Sequence, residues 1–177
     1  GPRINAAGRM GAPEKAARLL LSQDEEEARQ LAEEIQRLNQ ERQATEAAIL
    51  EQVTASLDAN PAQLSDRVLV LAGENWHHGV VGIIAARITE RYGKPCIVFS
   101  IDGEDAKGSG RSVKGFSLFQ AISACQEQLL SFGGHELAAG VSLKAEQIPA
   151  FRQKINAYAA GLGDMPVPQL ALTCKLK

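Results

Sequence analysis

Gly108-Ser109-Gly110-Arg111-Ser112 can bring backbone amides, two hydroxyls and a guanidinium to one place. That is an inventory for holding a phosphate through charge-assisted hydrogen bonds, with the planar arginine fork taking two oxygens. The neighbours of Arg111 are too small to bury its stem, so its guanidinium is expected to be reachable from solvent; a glycine-rich turn with a solvated arginine is the plainer alternative. Phe132-Gly133-Gly134-His135 sets two residues without Cβ ahead of an imidazole, so a backbone can approach a ligand closely while His135 points at it. A loop tip would read the same way. Arg3-Ile4-Asn5-Ala6-Ala7-Gly8-Arg9 clusters two arginines and an amide, against the alternative of a frayed end. Trp76-His77-His78-Gly79 invites a metal, but adjacent histidines in an extended segment point to opposite sides, and no third ligand stands at the right spacing. A capping role for His78 and close packing at Gly79 are expected instead.

The rest of the composition limits what these stretches can belong to. The 177 residues are 45% hydrophobic and 23% charged, which suits a folded chain and not a disordered one. A formal net charge of −2 excludes a polycation that coats nucleic acid or membrane, so an anionic partner must be held by a local patch. No run approaches the roughly 20 apolar residues of a membrane helix, and the first residues lack the apolar core of a signal peptide. A cytoplasmic location with no membrane partner is expected. Cys96, Cys125 and Cys174 are odd in number and far apart, which fits buried reduced thiols.

Charge is unevenly spread. From Ser22 to Ser56 nine acids face three arginines, a net of −6, which leaves +4 for the remainder. This segment has no Gly or Pro and opens with Ser22-Gln23-Asp24-Glu25, which reads as a capping box. It predicts one helix over 23–56, roughly 50 Å long. Its apolar stripe runs through Ala28, Leu31, Ile35 and Leu38, weakens at Arg42 and Thr45, and resumes at Ile49 and Val53. Such a helix bridges two bodies; a short coiled-coil dimer is the competing reading. Beyond Asn60-Pro61 the pattern is α/β: strand 67–72, helix 79–92, strand 96–100, a turn at 102–105, the glycine-rich stretch, a helix from a Ser117/Gln120 box to about 130, a loop at 132–135, strand 137–143 and helix 145–160. The fold class is therefore α/β, a mixed sheet with packed helices preceded by a long connecting helix. The alternating Gln169 to Lys177 reads as the first strand of a following domain, so the chain looks like an excerpt.

Taken together, the run from Pro2 to Met10, the long helix, Trp76 to Ile83, Gly108 to Ser112 and Gly133 to Gly140 resemble the RecJ family, single-strand-specific 5′→3′ DNA exonucleases of the DHH phosphoesterase superfamily. The resemblance covers the chain to about Leu162. It implies residues 1–21 as the trailing edge of a DHH domain, 22–58 as the connecting helix, 62–162 as a DHH-associated nucleic-acid-binding domain, and 163–177 as a linker into an OB-like domain. It also implies two-metal phosphodiester hydrolysis with Mn²⁺ or Mg²⁺ held by a DHH domain that this chain lacks, so the chain alone should be inactive and bind no metal. His135 is the implied catalytic residue, and Asn5, Arg9, Ser109, Gly110, Arg111, Ser112, Gly133 and Gly134 the implied phosphate contacts. Implied partners are single-stranded DNA, a single-stranded-DNA-binding protein and a helicase, in DNA repair and recombination. Phe132 stands where the superfamily commonly carries a third glycine. A DHH-family oligoribonuclease or cyclic-dinucleotide phosphodiesterase would carry similar loops, and a non-catalytic interaction module is the reading from another class.

Overall fold

The computed structural model describes residues 1–166. The expected strand from Gln169 to Lys177, and Cys174, lie outside the described residues.

The first residues are ordered into two short helices, α1 (Pro2–Arg9) and α2 (Pro13–Leu21). Each starts on a proline, whose missing N–H is no loss in a first turn, and Gly11 turns the chain between them at φ 81°. Next comes α3 (Glu25–Ala59), 35 residues long. Its cap is Asp24, whose side chain accepts from the Glu27 N–H at 2.8 Å, and not Ser22. Ser22 instead ends α2, and its hydroxyl donates to Glu27 Oε2 at 2.7 Å. Only half of the expected box forms, two residues later than predicted: the Asp24 N–H donates to Ser22 Oγ at 3.3 Å, and the Glu27 carboxylate is taken by Arg18 and Ser22.

The α3 stripe is covered at both ends by this chain's own elements. Ile35 packs with Ala7 and Ala16 of the two short helices, while Ile49, Val53 and Leu57 pack against the sheet domain. Between them lie buried Asn39 and Glu46, with Glu46 paired to Arg42 and to Arg87. The weak middle of the stripe is thus a polar junction inside one chain, not a coiled-coil seam.

The remaining elements are β1 (Leu69–Glu74), α4 (His78–Tyr92), β2 (Cys96–Asp102), β3 (Asp105–Arg111), α5 (Leu118–Ser123), β4 (Ser131–His135), β5 (Ala138–Lys144) and α6 (Ile148–Gly161). They form a five-stranded mixed sheet in the order β1-β2-β3-β5-β4, in which β1 and β2 are parallel across α4 and the other pairs antiparallel. Gly93 ends α4 in the left-handed region at φ 63°. Three readings of the sequence are corrected. Phe132 to His135 is an edge strand and not a loop, because its backbone pairs with β5. Gly108 to Arg111 is the central strand and not a turn, and the Ser117-capped helix stops at Ser123, followed by a short 3₁₀ turn.

One sheet face is wholly covered. Ile97, Phe99, Val141 and Leu143 meet Leu118, Ile122, Phe151 and Ile155 of α5 and α6, with Phe99 and Phe151 edge to face at 5.7 Å. On the other face Leu69, Leu71, Cys96 and Val98 lie beneath α4 and the end of α3. Helix α4 extends over β3 as well, where its Gly82 faces Ser109 and Arg111, and on that side β5 and β4 border a groove toward α1.

Candidate functional site

Side chains alternate along β3, so Lys107, Ser109 and Arg111 share one face while Ala106, Gly108 and Gly110 share the other. The register carries this across the sheet in rows: Arg111, Ala138 and His135; Ser109, Gly140 and Gly133; Lys107, Ser142 and Ser131. Helix α1 opposes the open half-face across a groove of about 920 Å³. Asn5 and Arg9, one helical turn apart, reach it from α1, and His78, Gly79 and Gly82 from α4.

The groove is electrostatically one-sided. Its lining includes Arg9, Lys107 and Arg111 and no Asp or Glu, and among the described residues none of these cations is ion-paired. Burial, and then the positive charge of Arg9, hold the Arg111 guanidinium below the usual arginine value. Two cations that repel across a groove, with no acid to balance them, attract an anion into it.

The Arg111 guanidinium is half-buried and fixed, and not the solvated end expected. Its Nη1 donates to Gly110 O at 2.7 Å and to Ser109 Oγ at 3.3 Å. It lies in a notch at Gly82, where a Cβ would come within 3.2 Å of Arg111 Nη2 and 2.9 Å of Ser109 Oγ. Arg9 Nη1 donates to Gly79 O at 3.1 Å, and the Arg9 carbonyl occupies the space a Cβ on Gly79 would need, so the expected close packing at Gly79 is against α1. The cap of α4 is His77, whose Nδ1 accepts from the Gly79 N–H at 3.1 Å, and not His78. The helix begins one residue earlier than predicted, which turns His78 into the groove lining.

Of the residues singled out in the sequence, Asn5, Arg9, Ser109 and Arg111 come together in the groove. Gly110 serves the core: a Cβ there would meet Leu118 at 2.6 Å and Ile97 at 3.1 Å. Its amide is spent in the ladders of a central strand, so the expected cradle of amides is not built. The Ser112 hydroxyl donates to Phe116 O at 2.7 Å and closes a turn. Gly134, at φ 145°, has the Ala138 carbonyl and the Ala139 Cα (2.6 Å) in its Cβ space, so it is required by strand pairing. Gly133 and His135 lie at the sheet edge on the groove's face but outside its lining, with His135 Nδ1 accepting from the Leu137 N–H at 3.3 Å. Sequence reasoning missed Lys107, Ser131, Gly140 and Ser142. The alternation from Ala106 to Arg111 was the available signal, hidden by its glycines.

Among the described residues no three His, Cys, Asp or Glu side chains gather where a metal could sit, so these residues do not fit a two-metal cage. No helix among them is long and apolar enough to cross a membrane.

The family described as the DHHA1 domain matches residues 65–161, from just before β1 to the end of α6. The chain belongs to the DHHA1 family. Over 98% of its length it is 40% identical to the single-stranded-DNA-specific exonuclease RecJ of Bacillus subtilis (strain 168), and over 88% it is 38% identical to the protein of that name from Escherichia coli (strain K12). It covers 22% and 28% of those two proteins, about a quarter of their length. The crystal structure of RecJ from Thermus thermophilus in complex with Mg²⁺ matches with a TM-score of 0.86 at 40% identity, over 97% of this chain and 26% of that one. A crystal structure of exonuclease RecJ bound to manganese matches with a TM-score of 0.77 over 90% of this chain and 39% of that one. The DHHA1 match contains Lys107, Ser109 and Arg111, while Asn5 and Arg9 precede it. The groove therefore lies between the DHHA1 sheet and a helix outside that domain.

Proposed function

We propose that this chain is the strand-gripping part of a single-strand-specific 5′→3′ DNA exonuclease, holding the DNA backbone for hydrolysis by metal ions on a DHH domain outside the chain. The observation that carries the reading is the acid-free groove between α1 and β3, with Arg9, Lys107 and Arg111 around it. Arg111 and Ser109 grip a phosphate; Arg9 and Asn5 close over it from the trailing edge of the DHH domain, residues 1–21. His135, two strands from Arg111 in the same row and so about 10 Å away, contacts a neighbouring phosphate nearer the scissile bond. Mn²⁺ or Mg²⁺ supplies the activated water and charge stabilisation in the complete enzyme. In this reading 22–58 joins the two domains and 62–162 is the binding domain. The complete enzyme would act in the cytoplasm in DNA repair and recombination, where a helicase exposes the strand and a single-stranded-DNA-binding protein covers it.

Fluorescence anisotropy of this chain with an oligothymidylate, across a salt series, tests the reading. Three cations on a single strand predict a slope of log affinity on log salt of about −2. Binding that is absent at low salt, or indifferent to salt, would overturn it.

A further inference from the structure

Arg111 and Ser109 account for two rows of the open sheet face, and the third is chemically similar but unassigned. Lys107, Ser142 and Ser131 stand side by side on β3, β5 and β4. All three line the groove. Lys107 is exposed and has no ion pair among the described residues; Asp102 and Asp105 line a neighbouring recess with it, and Asp105 is taken by Lys144 at 2.8 Å. Ser131 and Ser142 share one hydrogen bond at 2.6 Å, which leaves the pair a second hydroxyl hydrogen to donate outward. Gly140, between this row and that of Arg111, has open space where a Cβ would lie, so nothing on the sheet separates the two.

We propose that Lys107, with the Ser142–Ser131 hydroxyl pair, forms a second phosphate subsite, which takes the phosphodiester adjacent to the one held by Arg111 and Ser109. The proposal rests on the strand-gripping reading above and deepens it. Lys107 and Arg111 are four residues apart on one strand, about 13 Å between Cα atoms, with Ser109 halfway. From that spacing the long, flexible lysine can lean toward the arginine, which is already held against Ser109, so that the two cations address neighbouring phosphates of an extended strand. A lysine suits the outer subsite because it acts as a point charge with three rotatable donors and needs no fixed fork.

The test is anisotropy of this chain with an oligothymidylate that carries one neutral methylphosphonate, moved one linkage at a time. In the parent, two neighbouring linkages should each cost about tenfold in affinity when neutralised. Lys107→Ala should weaken binding of the unmodified strand by about tenfold, make the salt slope shallower by about 0.7, and remove the penalty at one of the two linkages only. Arg111→Ala should remove the penalty at the other. Ser142→Ala with Ser131→Ala should give a smaller loss at the Lys107 linkage. If the parent binds with a steep salt slope and Arg111→Ala weakens it, while Lys107→Ala keeps the parental slope and both penalties, the second subsite is wrong and the strand-gripping reading stands. If the parent shows no salt-dependent binding, both fall.

Discussion

On the side of the sheet that faces α4, β1 and β2 present Leu69, Leu71, Cys96 and Val98, none more than 5% exposed. On the same side β3, β5 and β4 present Lys107, Ser109, Arg111, Gly140, Ser142 and Ser131. Both halves obey the same two-residue alternation, and they differ in what lies opposite. Under α4 each apolar side chain gains about 1.5–3 kcal/mol by leaving water, and an unpaired charge there would be prohibitive. Over β3 the same helix presents only Gly82, which leaves a notch for Ser109 and Arg111, and beyond it the groove toward α1 lets cations and small residues stand at little cost. The sheet face changes character halfway with no change in strand pairing, from an apolar half to one that borders an open, acid-free groove.

The most severe test of this contrast exchanges the two characters. Val98→Asp buries an unpaired carboxylate beneath α4 and should destabilise the chain by about 3–5 kcal/mol, enough to lower the melting temperature steeply or abolish folding. Ser109→Asp, paired directly across from Val98 on β3, should leave the melting temperature close to that of the parent and cost at least about tenfold in oligonucleotide affinity, because it places an acid beside Arg111. If the two variants melt alike, the halves do not differ as described.

Glycines separate the regions by a smaller amount. Gly110→Ala pushes a methyl group against Leu118, and Gly134→Ala meets the β5 backbone at an unfavourable φ, so each should cost about 1–3 kcal/mol in urea denaturation. Gly140→Ala and Gly133→Ala point into open space and should change stability by no more than about 0.5 kcal/mol. Equal losses at all four positions would mean that strand propensity, and not neighbouring atoms, sets the requirement for glycine.

The chemically most conservative exchange is Arg111→Lys. It keeps the charge but gives up the planar fork and the bonds to Ser109 and Gly110, so affinity for single-stranded DNA should fall about thirtyfold, roughly 2 kcal/mol, with circular dichroism unchanged. Parental affinity across the salt series would reduce Arg111 to a structural residue of β3.

Much of the fold was legible because its signals are local. The long helix follows from an uninterrupted run of helix formers after an acidic cap, α4 from its periodicity and the glycine that ends it, and the mixed sheet from strands joined alternately by a helix and by a turn. The groove was legible in part for the same reason, since Ser109 and Arg111, which line it, stand out by residue type. What failed was the reading of the glycines and of the short elements around them. Gly108 to Arg111 and Phe132 to His135 read as turn and loop because glycine has little strand propensity, yet both stretches are paired strands.

Composition and periodicity were enough for the α/β class, the bridging helix and the lack of any overall cationic charge. Which glycine serves what emerges only from the packed fold: Gly110 the core, Gly134 the strand pairing, Gly82 the notch for Arg111, Gly140 the open floor of the groove. The same is true of Lys107, whose place beside Ser142 and Ser131 exists only in the sheet register. A glycine's role is set by whichever atoms occupy the space its missing Cβ leaves. Those atoms come from elements distant in the chain, so no local pattern can encode them.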